Sequence, residues 1–255
     1  MLKLIFSDLD GTLLNSTKTV DEKTVECIKN LNGTRFIINT GRLPYNVDDL
    51  KSFVDLSNMV CGNGSYIKID NKVVYNCFTD KNEALALLEY AYSHDLVPRV
   101  FTESNFYITS TPNLSTFVKP VVVSKDELND LLKKEGVYKI CFMEDDPNTL
   151  KGIEDFVKTN TKNMVFEYST PRFIECHHKD TSKGRAIDVV SNLLNIPKNE
   201  ILAIGDNEND LSMFNRGYHS ACPSNASDNV KASVEYVSDE DCDHDFMVGV
   251  IERFL

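Results

Sequence analysis

The sequence has no long apolar run, fewer positive than negative charges and no closely spaced cysteine pair. Because its longest apolar stretches are far too short to cross a membrane, no transmembrane segment is predicted and a cytoplasmic location is expected. Lysine and arginine number 27 against 39 aspartates and glutamates, and the net charge of -12 argues against nucleic acid as a partner. The seven cysteines form no C-x-x-C motif, which favours reduced, packed thiols.

The composition is that of a globular protein with a substantial core. Its 255 residues, 42% of them apolar and 26% charged, can form one large domain or two modest ones. Short apolar segments at 4–6, 35–39 and 201–204 are typical of buried strands, and they occur among amphipathic helical patterns. We therefore predict an α/β fold with a doubly wound, Rossmann-like parallel sheet, whose ligand site lies at the carboxyl ends of its strands.

A different pattern occupies residues 80–180. Here the order helix, two strands, helix, strand, helix, two strands predicts an α+β layer, which begins with a plausible capping box at 80–83. The earlier pattern resumes at residue 181. We therefore predict that residues 1–79 and 181–255 form one core domain, and that residues 80–180 are inserted into it as a second domain.

Two carboxylates, Asp8 and Asp10, follow the first predicted strand with one residue between them. Side chains alternate along a strand, so both point the same way, and at about 4 Å they would repel by roughly 4 kcal/mol. A hard cation such as Mg²⁺ would relieve this repulsion. A calcium loop is excluded, because Thr12, Leu13 and Thr19 stand where that loop needs a ligand, glycine and glutamate. A simple strand-ending turn remains an alternative for this motif taken alone.

Similar polar groups lie at the ends of other predicted elements. A hydroxyl and backbone amides before a helix bind phosphate readily, a lysine adds a point positive charge, and further acids can complete a metal site. Together these groups favour phosphoryl transfer, in which a nucleophile attacks phosphorus while a metal and fixed donors stabilise the oxygens. The groups are Asp8 with Asp10, Thr40 with Gly41, Lys183, and Asp206 with Asn209 and Asp210.

In order and spacing, these motifs resemble the four motifs of the haloacid dehalogenase superfamily, in its Cof-type branch. They are Asp8-Leu-Asp-Gly-Thr, Thr40-Gly41-Arg42, Lys183-Gly184 and Gly205-Asp206-Asn-Glu-Asn-Asp210. The resemblance covers nearly the whole chain, because the capped phosphatases of that family carry a large cap between the second and third motifs. It implies that residues 80–180 form a cap domain that sets substrate specificity.

The resemblance also implies a role for each site residue. Asp8 would be the nucleophile that forms an aspartyl-phosphate, and Asp10 the acid/base that protonates the leaving oxygen and later activates water. The residues alone do not decide which of the two attacks. The implied ligands of Mg²⁺ are Asp8, the backbone carbonyl of Asp10, and Asp206. The implied phosphoryl-binding groups are Thr40, the amides of Leu9 and Gly41, Lys183 and Asn209, with Asp210 and Asn207 in support.

We expect a Mg²⁺-dependent phosphatase that acts on a small-molecule phosphomonoester, such as a sugar phosphate or a phosphorylated cofactor. A phosphotransferase or sugar-phosphate mutase on the same core is the first alternative. A phosphometabolite-binding regulator without turnover is the second. A monomer or a small homo-oligomer is expected.

Four side chains, one of them in the motifs, can be interpreted either as functional or as merely structural. Lys183 is either part of the site or a solvated surface lysine, which is the usual state of this residue type. Arg99 and Arg172 either contact the polar end of a substrate or only decorate the surface of strands. His177 lies in a Cys-His-His run whose spacing matches no usual zinc pattern. A role for it or His178 at the lid of the substrate pocket is the alternative to simple exposure, which is favoured.

Overall fold

In this computed structural model, which describes residues 1–110 and 119–255, the first strand is β1 (Leu4–Ser7), and all of its side chains are buried. Its alternate side chains pack into separate clusters. Ile5 belongs to one hydrophobic cluster, whereas Leu4 and Phe6 belong to another. β1 therefore has apolar cover on both faces, as the central strand of a parallel sheet requires.

The chain continues from β1 through one α-helix and four more strands. Asp21 caps the helix by accepting a hydrogen bond from the backbone N–H of Thr24. The elements are α1 (Glu22–Lys29), β2 (Arg35–Asn39), β3 (Met59–Cys61), β4 (Tyr66–Ile69) and β5 (Lys72–Asn76). Short 3-10 helices cover Pro44–Asn46, Asp48–Ser52 and Gly62–Gly64.

In the next part of the chain, the described residues form three helices and six strands. Asp80 caps the first helix, and Ser124 with Glu127 forms a capping box on the second. The elements are α2 (Lys81–Ser93), β6 (Arg99–Thr102), β7 (Phe106–Ile108), β8 (Val121–Val122), α3 (Lys125–Lys134), β9 (Val137–Met143), α4 (Pro147–Asn160), β10 (Met164–Thr170) and β11 (Phe173–His178).

The last part returns to alternating helices and strands. Its elements are α5 (Lys183–Leu194), β12 (Ile201–Ile204), β13 (His219–Cys222), α6 (Asp228–Lys231), β14 (Tyr236–Val237) and α7 (Phe246–Phe254), with 3-10 helices at Lys198–Glu200 and Glu208–Met213. A regular helix through residues 211–214 is expected from the sequence. Instead, the 3-10 helix stops at Met213 and Phe214 is extended.

The strands within residues 1–110 and 119–255 form two sheets, one in each of two compact units. The main unit comprises Met1–Asn76 and Ser182–Leu255, and the inserted unit comprises Cys77–Thr181. In the main unit the strand order is β14-β13-β12-β1-β2-β3-β4-β5, parallel from β14 to β3 and antiparallel at β4 and β5. The inserted unit has the order β10-β11-β9-β6-β7-β8, in which only β7 and β8 pair in parallel among the described strands.

One face of the inserted sheet carries the core of that unit. Val100, Ile140 and Ile174 pack there against α2, α3 and α4. Neighbouring residues along these strands have side chains on the other face, because side chains alternate. The predicted α/β class, with a Rossmann-like parallel core and an inserted α+β layer, is confirmed.

Candidate active site

The carboxyl ends of β12, β1 and β2 bring the predicted site residues together. Asp8 directly follows β1, Thr40 directly follows β2, and Asp206 lies just beyond β12. These three strands are adjacent and parallel. The backbone N–H of Asp8 continues the ladder by donating to the carbonyl of Ile204 at 2.9 Å. Parallel pairing therefore places the motifs at one edge of the sheet, where ligands bind in such folds.

Lys183 is fully buried and joins two of the motifs. Its ammonium donates to Asp8 Oδ1 at 2.5 Å and to Asp210 Oδ1 at 2.6 Å. Burial lowers the pKa of Lys183, but the charges of Asp210 and Asp8 outweigh this effect and raise it. Lys183 is therefore a fixed positive charge inside the site, and the interpretation as a solvated surface lysine is wrong.

The start of α5 is held in place by its own cap and by two close neighbours. Ser182 caps the helix through its side chain, and Asn39 donates from Nδ2 to the carbonyl of Lys183 at 3.0 Å. Only glycine fits at position 184, because a Cβ there would lie 1.7 Å from the carbonyl oxygen of Ser212. These contacts position Lys183 precisely enough to reach both carboxylates.

Three carboxylates form an acidic cluster at this point. One oxygen each of Asp8, Asp206 and Asp210 lie within 4.8 Å of one another. Burial raises the pKa of Asp8 to about 8, against the attraction of Lys183. Burial, followed by the charge of Asp210, raises the pKa of Asp206 to about 6. Lys183 compensates only part of this negative charge, so the donor set fits a hard divalent cation, which prefers carboxylate oxygens.

The Asp206 carboxylate is held by residues from two loops. Thr12 donates from Oγ1 to Asp206 Oδ1 at 2.6 Å. Gly11 has a φ of +91°, and a Cβ there would lie 2.6 Å from Asp206 Oδ2, so glycine permits this close approach. Asp210 Oδ2 accepts hydrogen bonds from the backbone N–H groups of Asp206 and Asn207, each at 3.0 Å. Asp210 and Asn207 therefore build the loop that presents Asp206.

The second and fourth motifs meet through Asn63. Thr40 Oγ1 accepts from the backbone N–H of Arg42, and the Thr40 carbonyl accepts from the N–H of Asn63, both at 3.0 Å. Asn209 donates from Nδ2 to Asn63 Oδ1 at 3.5 Å. A Cβ at Gly41 would lie 3.0 Å from the same Asn63 oxygen. Asn63 lies outside the four motifs, in the loop Gly62-Asn-Gly64 that the resemblance places at the border of the active site, and it brings the predicted phosphoryl-binding groups together.

Leu9 contributes in a different way. Its side chain is fully buried in a hydrophobic cluster of the main unit. The side chain of Leu9 is therefore not available to the site, and a role for its backbone amide stays a prediction.

The carboxylate of Asp10 is held by two cations and is not one of the three carboxylates of the acidic cluster. Arg42 donates from Nε to Oδ2 and from Nη2 to Oδ1, both at 2.8 Å, and Lys18 Nζ donates to Oδ1 at 2.8 Å. Burial acts to raise the pKa of Asp10, but the hydrogen bonds from Arg42 and Lys18 outweigh it, and the pKa is lowered.

Comparison with known proteins identifies the family. A family model described as haloacid dehalogenase-like hydrolase matches residues 5–247. The Bacillus subtilis protein YwtE, named a 5-amino-6-(5-phospho-D-ribitylamino)uracil phosphatase, is 24% identical over 93% of both chains. A phosphoglycolate phosphatase of Picrophilus torridus is 25% identical over 100% of this chain and 92% of its own. A solved haloacid dehalogenase-like hydrolase from B. subtilis has a TM-score of 0.88 at 22% identity and covers 100% of both chains.

The chain therefore belongs to the haloacid dehalogenase-like hydrolase family. The predicted Cof-type relationship is confirmed, and so is the prediction of an enzyme that hydrolyses phosphomonoesters. Within residues 1–110 and 119–255, no helix has both the length and the apolar character needed to cross a membrane.

Proposed function

We propose that this enzyme hydrolyses a small-molecule phosphomonoester through an aspartyl-phosphate on Asp8, with Mg²⁺ as its cofactor. The observation that carries the proposal is the buried contact between Lys183 and Asp8 beside the acidic cluster. A lysine held there can bind a phosphoryl oxygen while Asp8 attacks phosphorus.

The first half of the reaction uses Asp8 and Asp10. An oxygen of Asp8 forms a bond to phosphorus as the bond to the leaving oxygen breaks, and Asp10 gives that oxygen its proton. The products are an alcohol and a phosphorylated Asp8. Arg42 and Lys18 hold the resulting Asp10 carboxylate at fixed distances.

The second half returns the enzyme to its starting state. The Asp10 carboxylate takes a proton from water as the water oxygen attacks phosphorus. The bond between phosphorus and Asp8 breaks, inorganic phosphate leaves, and Asp10 is protonated again. Hydrogen bonds from Arg42 and Lys18 outweigh burial and lower the pKa of Asp10, which favours the carboxylate that acts as the base in this half. In the first half, Asp10 must bind its proton against this preference.

The remaining site residues would bind charge. Mg²⁺ on Asp8, the backbone carbonyl of Asp10, and Asp206 would supply a Lewis acid that neutralises charge on the phosphoryl oxygens. Thr40, Lys183, Asn209 and the amides of Leu9 and Gly41 would donate hydrogen bonds to those oxygens. Asp210 orients Lys183 through its 2.6 Å contact, and Asn207 supports the loop.

In this proposal the inserted domain, predicted at residues 80–180, sets the substrate specificity. The proposed substrate is a small metabolite. Two relatives carry the names of phosphatases for different phosphomonoesters, a ribitylaminouracil phosphate and phosphoglycolate. Both names support a small phosphomonoester, and their difference supports specificity that varies outside the shared motifs.

The test is phosphate release from a panel of small phosphomonoesters, in Mg²⁺ and in chelator. Asp8→Asn should reduce release by about 10⁴-fold or more, because an amide cannot form the phosphoryl intermediate. Asp239→Asn, which changes an exposed acid of the same unit, is the matched control and should keep wild-type rates.

Three outcomes would count against the proposal. Full activity of the Asp8→Asn enzyme would show that Asp8 is not the nucleophile. Wild-type phosphate release that is unaffected by chelator would show that the reaction does not need a metal. Isomerised sugar phosphate without free phosphate would favour the mutase alternative, and tight binding without turnover would favour the regulator.

A further inference from the structure

The carboxylate of Asp10 uses its two oxygens unequally. Oδ1 accepts two hydrogen bonds, from Arg42 Nη2 and from Lys18 Nζ, both at 2.8 Å. Within residues 1–110 and 119–255, Oδ2 accepts only one, from Arg42 Nε at 2.8 Å. Each carboxylate oxygen has two lone pairs that can accept. The two donors therefore fill Oδ1, whereas Oδ2 keeps one lone pair that can bind a proton.

A proton on Oδ2 is compatible with all of these contacts. A protonated carboxyl donates through one oxygen and keeps acceptor capacity on both. Asp10 can therefore carry its proton on Oδ2 while Arg42 and Lys18 keep their hydrogen bonds. A proton on Oδ1 would have to displace one of the two cations. The contacts thus make Oδ2 the oxygen that can exchange a proton.

Lys18 is the residue that distinguishes the two oxygens. Arg42 alone does not, because it donates one hydrogen bond to each oxygen at the same distance. Without Lys18, each oxygen would have one free lone pair, and the proton would be free to lie on either. The paired donors of Arg42 fix the orientation of the carboxyl group. Since proton transfer requires hydrogen-bond geometry, a proton on the wrong oxygen of a fixed carboxyl would be lost to the reaction.

The turn that carries Lys18 is built to hold this residue in place. Lys18 has a φ of +62°, a left-handed conformation that is uncommon outside glycine and persists where surrounding contacts impose it. Its backbone N–H donates to the carbonyl of Asn15 at 2.9 Å. The side-chain Oδ1 of Asn15 accepts from the backbone N–H groups of Thr17 and Thr19, at 3.1 and 3.0 Å. Asn15 therefore closes the turn on both sides of Lys18.

We propose that Lys18 is a positioning residue of the reaction and acts through Asp10. The Oδ2 of Asp10 gives its proton to the leaving oxygen in the first half, and the same oxygen takes a proton from water in the second. This inference rests on the proposed function, which assigns the acid/base role to Asp10. Lys18, which lies outside the four motifs, determines which oxygen of Asp10 transfers the proton.

Phenyl phosphate and p-nitrophenyl phosphate separate this role from a merely structural one. They differ in one nitro group, which makes p-nitrophenolate a stable leaving group that needs no proton, whereas the departure of phenolate is assisted by one. The value of kcat/KM reports the reaction up to loss of the leaving group. A defect in proton donation therefore lowers kcat/KM for phenyl phosphate alone, and a damaged fold lowers it for both esters.

Lys18→Met should lower kcat/KM for phenyl phosphate about 10-fold or more, which is part of the 10²- to 10⁴-fold that a positioned acid supplies. For p-nitrophenyl phosphate the change should stay within about 2-fold. Lys18→Arg should restore part of the rate with phenyl phosphate, because a guanidinium can still donate to Oδ1 of Asp10. Lys23→Met is the matched control. It removes an exposed lysine of the same unit that pairs with Asp245, and it should keep wild-type rates with both esters.

Equal losses with the two esters in Lys18→Met, or wild-type rates with both, would overturn the assignment of Lys18. A Lys18→Arg enzyme as slow with phenyl phosphate as Lys18→Met would also count against it, since the donor to Oδ1 would then be irrelevant. Absence of phosphate release by the wild type, from these two esters and from the metabolite panel alike, would contradict the proposed function itself, and this inference with it.

Discussion

Removal of divalent cations should make the stability of this protein fall steeply between pH 6 and pH 8. Burial raises the pKa of Asp8 from 3.8 to about 8, and that of Asp206 from 3.8 to about 6, when no divalent cation lies beside them. Both carboxyls then hold protons in the folded protein at pH values where the unfolded chain has lost them. Stability therefore falls as the pH rises from the unfolded pKa toward the folded pKa.

The size of the effect follows from the two pKa values. A group that binds one more proton in the folded state changes the free energy of unfolding by about 1.4 kcal/mol per pH unit. Asp206 contributes mainly below pH 6 and Asp8 is half-ionised at pH 8, so Asp8 accounts for a loss of about 2 kcal/mol between pH 6 and pH 8. His177 is buried, so the expectation that it is exposed is wrong. It adds a loss of the same sign, since Glu167 outweighs burial and raises its pKa.

Urea unfolding at pH 6, 7 and 8, in chelator and in saturating Mg²⁺, measures this directly. Mg²⁺ should remove most of this dependence of the free energy of unfolding on pH, because a bound divalent cation holds Asp8 and Asp206 ionised. In chelator, the Asp8→Asn protein should also lack the part of this pH dependence that Asp8 causes, since an amide does not titrate. A chelated wild type that is equally stable at pH 6 and pH 8, or an Asp8→Asn protein with the wild-type slope, would refute the reasoning.

Two further substitutions test how the site is built. Lys183→Met should lower the free energy of unfolding by roughly 3–5 kcal/mol at neutral pH, because Asp8 and Asp210 lose their buried partner; an unchanged urea midpoint would contradict this. Thr12→Val should weaken Mg²⁺ binding by about 10-fold or more in a calorimetric titration, because the Asp206 carboxylate loses its 2.6 Å donor. Wild-type affinity in this variant would show that Thr12 does not orient Asp206.

The position of the site was predictable because it depends on strand ends. The apolar run that becomes β1 predicts a buried strand, and Asp8 follows at its carboxyl end. In the same way, an apolar run becomes β12 and Asp206 follows at its carboxyl end. Because β1 and β12 are neighbouring parallel strands, their carboxyl ends lie at the same edge of the sheet. The order of the motifs then predicted the family, which the matching family model confirms.

Short and weakly patterned elements were not predictable in the same way. β4 and β5 form an antiparallel hairpin through Asp70 and Asn71, which both have positive φ values near 50–61°. Most of the side chains of β5 are exposed, so its hydrophobic pattern is weak. The 3-10 helix at 208–213 begins with a capping box between Asn207 and Asp210, and the box does not distinguish it from the regular helix α3, which also begins with one.

Contacts between distant residues were the least predictable part of the site. Lys18 reaches Asp10 from a turn where its own φ is +62°, and nothing in its local sequence distinguishes it from a surface lysine. Asn63 joins Thr40 and Asn209 only because β3 ends beside β2. Arg42 lies within a motif that the sequence identifies, but its bidentate contact with Asp10 depends on the folded loop.

The central claim is a covalent phosphoryl transfer to Asp8, and acid-quench trapping measures it most directly. The enzyme would be mixed with a ³²P-labelled phosphomonoester that it hydrolyses, quenched in acid within one turnover, and digested for peptide mapping. We expect acid-stable label on the peptide that contains Asp8, assigned to that side chain by borohydride reduction of the acyl phosphate to homoserine. Phosphate formed in a single turnover without protein-bound label, or label on another residue, would contradict the account.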